Sequence, residues 1–141
     1  MSPELEALGR RAVARTAWLW MAGMRALEDY QLDPDAGGGE QEGRPHRVYR
    51  GNFWDECEDS VPAAAGPGLG EMLPDFSDPA TVGCLLALVR EAWGVPLRVG
   101  EGDKSAFDHT ERAAYVEPLG GPDFEADTLP AALVAALEAA P

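Results

Sequence analysis

Four side chains able to bind a transition metal occur in the order His46, Cys57, Cys84 and His109. Structural zinc sites draw their ligands from close pairs such as Cys-x-x-Cys, and no such pair exists here. Two cysteines also make no disulfide framework. Cys84 falls inside an apolar helical stripe, where a thiol acts as a small hydrophobe. Folding is therefore expected to need no metal. Ser105, Asp108 and His109 supply the residue types of a nucleophile, an acid and a base. Triad members are brought together by the fold from separate segments, and five residues of one loop do not provide that geometry. No nucleophile elbow or Gly-rich phosphate loop occurs. The expectation is a protein that is not an enzyme and has no cofactor.

The stretch "DPDAGGGEQEGR" begins like a calcium loop, with Asp33 and Asp35 at the first and third positions and Gly38 at the sixth. Its fifth position is Gly37, and its twelfth is Arg44 where a bidentate Glu is required, so the EF-hand pattern fails. "DECED", Asp55 to Asp59, reads as a solvated acidic loop rather than a cation site.

Charge distribution says more. The chain of 141 residues carries 25 Asp and Glu against 11 Lys and Arg, a net of −14. Such a surface repels nucleic-acid phosphates and anionic membranes and attracts basic protein surfaces. Residues 1–27 carry a net of +2, residues 28–59 a net of −7, and residues 71–141 a net of −9. Negative charge spread over a rigid surface can imitate a phosphate backbone; the competing reading is a surface that only keeps the protein soluble. Aromatic side chains lie in or beside the acidic text, and aromatic anchors ringed by charge are common in interfaces. The candidate partner-binding set is Tyr30, Asp33, Asp35, Trp54, Asp55, Glu56, Glu58 and Asp59. Tyr49 and Phe53 are nearby, with Phe53 assigned to the core.

The elements that must position these residues can be read from pattern. Ser2 and Pro3 start a helix running to about Arg15, with acids near its start and arginines near its end. "TAWLWM" has the bulk and alternation of a strand. Residues 28–43, rich in Gly and acids, form a loop insert. "HRVYRGNFW" alternates again and is expected to be one strand pairing with the first. "SVPAAAGPGLGEMLPDF" is loop by its Pro and Gly content. Asp78 and Pro79 then start a helix whose stripe is Val82, Leu85, Leu86, Val89 and Trp93, stopped by Gly94 and Pro96. "VPLRVG" and "RAAYVEPLG" are strands separated by a long loop at about 100–112. Thr128 or Asp127 caps a last helix carrying Leu129, Leu133, Val134 and Leu137. The expected fold is α+β, a small antiparallel sheet flanked by helices in the order α-β-β-α-β-β-α, within one domain, 1–141.

"LPDFSDPATVGCLLALVREAWG", the C-terminal "ALVAALEAAP" and "WLWMAGM" together resemble a family of small phage and prophage proteins with what is called the phage ABA-sandwich domain. The last segment is similar to a Trp-x-Trp-Met-x-Gly-Met element in that family. The matches cover about a third of the chain. The resemblance implies a phage context but no catalytic residues and no target. The start "MSPELEALGRR" lacks the apolar core of a signal peptide, and the longest apolar run, "VGCLLALV", is too short to span a membrane. A cytoplasmic location in the host cell follows, with neither membrane nor direct nucleic-acid binding. The expected function is an accessory protein that binds a host protein with a basic surface, such as a defence nuclease or the transcription machinery, and modulates it. The alternatives are a virion or assembly component and a sponge for small signalling nucleotides, the latter drawing on Arg44, Arg47 and Arg50. Sequence sets neither the target nor the oligomeric state.

Overall fold

A computed structural model describes residues 2–27, 47–49, 52–54, 60–62, 72–101 and 114–141 of the chain. These form helices α1 (Pro3–Val13), α2 (Pro79–Trp93) and α3 (Leu129–Ala139). Strands β1 (Arg47–Tyr49), β2 (Asn52–Trp54) and β3 (Ser60–Pro62) make one antiparallel sheet, and β4 (Leu97–Glu101), β5 (Ala114–Pro118) and β6 (Phe124–Ala126) make another. The fold is α+β.

The helix ends follow local chemistry. The Asp78 side chain accepts from the Thr81 N–H, and Pro79 takes the first helical position, where its missing N–H costs nothing. Gly94 closes α2 at φ 65°, a left-handed backbone that glycine adopts without a Cβ penalty. Thr128 caps α3 in the same manner through the Ala131 N–H. Ser2 has the extended backbone of a cap, yet its side chain makes no cap bond, and α1 ends at Val13 rather than Arg15.

Two apolar clusters meet at Trp18. The larger holds the fully buried Leu85, Val89, Val116 and Leu133, with Ala132 and Ala136 letting α3 approach its neighbours closely. α3 packs against α1 and α2 as well as β5 and β6. The smaller cluster comprises Met24, Ala26, Val48, Met72 and Leu88. Trp18 packs against both, with its ring edge-on to Trp20 at 5.4 Å and to Phe76 at 6.2 Å. At the far end of α2, the Trp93 indole N–H donates to the Ala136 carbonyl at 2.9 Å. That carbonyl is one of the last four of α3, which lack partners within the helix.

Sheet β4–β6 alternates as a half-covered antiparallel sheet should. Leu97, Val99, Val116, Phe124 and Ala126 join the larger cluster, while Arg98, Gly100, Tyr115, Glu117 and Glu125 occupy the opposite face.

Several expectations are corrected. "TAWLWM" is no strand: the chain turns after α1, and pairing begins only at Arg25 and Ala26, as isolated bridges to Arg47 and Pro74. The alternation arises because Trp18 and Trp20 pack inward while Leu19 stays 62% exposed, and among the described residues no partner strand lies beside them. "HRVYRGNFW" is two strands, since Tyr49 and Asn52 are register partners with only Arg50 and Gly51 between them. A two-residue connection ending in Gly suits a hairpin. Ser60–Pro62, expected to be loop, is β3, and β6 was not expected. Proline at position 62 is tolerated because β3 is an edge strand.

Candidate functional site

The densest polar cluster among the described residues sits at the start of α2. Three separate segments meet there: the Trp18–Leu27 stretch, β1 and the turn before α2. Arg47 grips Asp78 with both guanidinium nitrogens, Nη1 to Oδ2 at 3.0 Å and Nη2 to Oδ1 at 2.9 Å. It also donates to the Gly23 carbonyl. Asp78 Oδ2 accepts from the Thr81 N–H at 3.0 Å and the Thr81 hydroxyl at 2.8 Å. The same hydroxyl accepts from the Arg25 N–H at 2.8 Å. Thr81 is fully buried, so this chain of bonds satisfies a hydroxyl that has no water within reach.

Asp75 lies beside it, also buried. Its carboxylate accepts from the N–H and hydroxyl of Ser77, and Arg25 Nε approaches it to 3.8 Å. Backbone pairing holds the same segments: the Val48 N–H donates to Met24 O, Leu27 to Leu73 O and Asp75 to Arg25 O. Residues 23–27 thus run between β1 and Leu73–Asp75.

Electrostatics define what this cluster does. The bonds from Arg47 and Thr81 hold the Asp78 carboxyl well below its usual value, at about 2. Its oxygens are occupied, which makes it a poor proton acceptor near neutral pH. Cys84 lies one helical turn beyond Thr81 and donates to the Ala22 carbonyl at 3.5 Å. Burial, aided by the negative charge of Asp78, pushes its thiol up, away from the reactive thiolate. The cluster is therefore a clamp between segments distant in sequence. Arg47 belongs to it, so of the three arginines on which the alternative of a nucleotide sponge draws, this one bonds to Asp78 and the Gly23 carbonyl.

Of the expected partner-binding residues, Trp54 ends β2. Tyr30, Asp33, Asp35, Asp55, Glu56, Glu58 and Asp59 lie outside the described residues, as do Arg44 and Arg50 and the possible metal or catalytic residues His46, Cys57, Ser105, Asp108 and His109. The described ends of these stretches are informative nonetheless. Arg47 pairs with Trp54, and Trp54 with Ser60. Residues 28–46 return to the sheet at Arg47; residues 55–59 leave at Trp54 and return at Ser60. All these attachment points lie along one end of the β1–β3 sheet, and Arg25, just before the first stretch, bridges to Arg47. The two stretches carry net charges of −5 and −4.

The clamp was half legible. Asp78 and Thr81, three residues apart before an apolar run, carry a capping signal; the choice of Arg47 as partner, 31 residues away, has no sequence signature. No group of three or more potential metal ligands occurs among the described residues, and no helix there is long and apolar enough to cross a membrane. Comparisons with protein-family models, curated proteins and solved structures found no match to the chain.

Proposed function

We propose that this chain is a phage-derived accessory protein that binds a basic surface on a host protein and modulates its activity in the host cytoplasm. Defence nucleases and transcription machinery are the natural targets, since both own surfaces that bind phosphate backbones. The reading makes the chain a binder rather than an enzyme, with no direct contact to nucleic acid or membrane. One observation carries it. The acidic stretches 28–46 and 55–59, separated by β1 and β2, are attached at one end of the same small sheet through Arg47, Trp54 and Ser60. Concentrated negative charge speeds encounter with a basic surface, and an aromatic anchor such as Trp54 supplies the buried area that charge alone does not.

Affinity capture from host lysate, with mass spectrometry, identifies the target. Association kinetics then test the surface. Replacing Asp55, Glu56, Glu58 and Asp59 with Asn or Gln is expected to slow association and flatten its salt dependence. An unchanged association rate with equal salt dependence would place the interface elsewhere.

A further inference from the structure

Strand β4 is the edge of its sheet, and its hydrogen-bonding phase can be read. The Leu119 N–H donates to the Pro96 carbonyl at 3.0 Å, which makes that pair hydrogen-bonded. In an antiparallel ladder such pairs alternate, so Arg98 with Glu117 and Gly100 with Tyr115 exchange bonds as well. Leu97, Val99 and Glu101 therefore turn their N–H and C=O groups away from β5. No strand among the described residues pairs with that side. The edge is unbroken over five register pairs, with no internal proline or bulge to protect it.

This outward set is self-complementary. About a two-fold axis through Val99, Val99 meets its own copy and Leu97 meets Glu101, all with bonding groups in phase. Two side-chain pairings follow from the same register. The second copy's Glu101 falls opposite Leu97, beside a surface hollow of about 470 Å³ lined by Arg90, Gly94, Val95, Pro96 and Leu97. Arg90 is exposed and has no ion-pair partner among the described residues. On the other face, Arg98 falls opposite the second copy's Gly100. A Cβ there would lie 2.6 Å from the Tyr115 ring, so that ring covers the glycine and lies next to the place the incoming guanidinium takes.

We infer that two copies of this chain pair antiparallel along β4, joining their sheets into one of six strands, with Arg90–Glu101 and Arg98–Tyr115 contacts each formed twice. The interface is isologous, as a two-fold dimer requires. It is separate from the acidic end of the other sheet and stands whether or not the host-protein reading holds.

Sedimentation equilibrium of the full chain tests it, from about 1 to 500 µM at about 0.15 M salt, where the mutual repulsion of two chains of net charge −14 is largely screened. Wild type is expected to show a reversible monomer–dimer equilibrium. Arg90→Glu and Glu101→Arg, both at exposed positions, should each raise the dissociation constant at least about tenfold, and the double variant should restore it, because each charge then meets its swapped partner. Circular dichroism of each variant checks that the fold is retained. A wild type that stays monomeric throughout overturns the inference. So does a dimer indifferent to either reversal, or a double variant without rescue.

Discussion

Removing the Asp78 carboxylate should destabilise the fold by roughly 2–5 kcal/mol at pH 7. Asp78→Ala deletes the cap of α2, which costs about 1 kcal/mol. It also strips the acceptor from the fully buried Thr81 hydroxyl, a loss of about 1–3 kcal/mol when no water can replace it. Arg47 keeps 44% of its side-chain surface exposed, so its lost partner adds only about 0–1 kcal/mol. Asp78→Asn keeps an acceptor for the cap and removes only the charge. The depression of the carboxyl from 3.8 to about 2, caused first by Arg47, bounds that charge contribution at about 2 kcal/mol, and solvent screening on the exposed Arg47 side brings it nearer to about 1 kcal/mol. A folded-state value below the unfolded one means the stabilisation is complete above about pH 4 and is lost as the pH falls through about 2. Urea unfolding of wild type and Asp78→Asn across pH 2 to 7 reads this directly. The gap between the two should be constant near neutrality and close towards pH 2. A gap that is absent at pH 7, or that persists undiminished at pH 2, would refute the clamp as the source of the stabilisation.

Truncations along α2 should divide by burial: Leu85→Ala is expected to cost about 2–5 kcal/mol and Leu86→Ala, half-buried, clearly less, as measured by chemical denaturation. Trp93→Phe keeps most of the ring packing but leaves the Ala136 carbonyl without its donor, and should lower stability by about 1 kcal/mol in the same assay. In a Cys57→Ser background, Cys84 should react with a thiol reagent at pH 8 more slowly than a free thiol, and reach the free rate only in denaturant, because burial raises its thiol.

The helices were legible because their signals are local. Asp78-Pro79 at one end and Gly94 at the other state the limits of α2 without reference to the rest of the chain. Thr128 does the same for the start of α3. Strands were harder, since a strand exists only with a partner. Trp18 to Met21 has strand-like composition, yet its side chains join two clusters and, among the described residues, no strand lies alongside it. Ser60–Pro62 has loop-like composition, yet it forms a strand because Asn52–Trp54 lies alongside. The clamp combines both cases. Its cap was readable from Asp78 and Thr81, whereas Arg25 and Arg47 reach it through tertiary pairing that spacing does not encode.

The bridge between Arg25 and Arg47 has a consequence for how this chain can vary. Residues 28–46 begin and end at neighbouring points, and both points are fixed by bonds to the body of the fold: Leu27 to Leu73, Val48 to Met24 and Arg47 to Asp78. A segment whose two ends are already held costs little to lengthen, about 0.6 kcal/mol of closure entropy for each doubling. This is a place where the gene can gain or lose codons, or accept a foreign peptide or a whole reporter domain, while the rest of the protein folds as before.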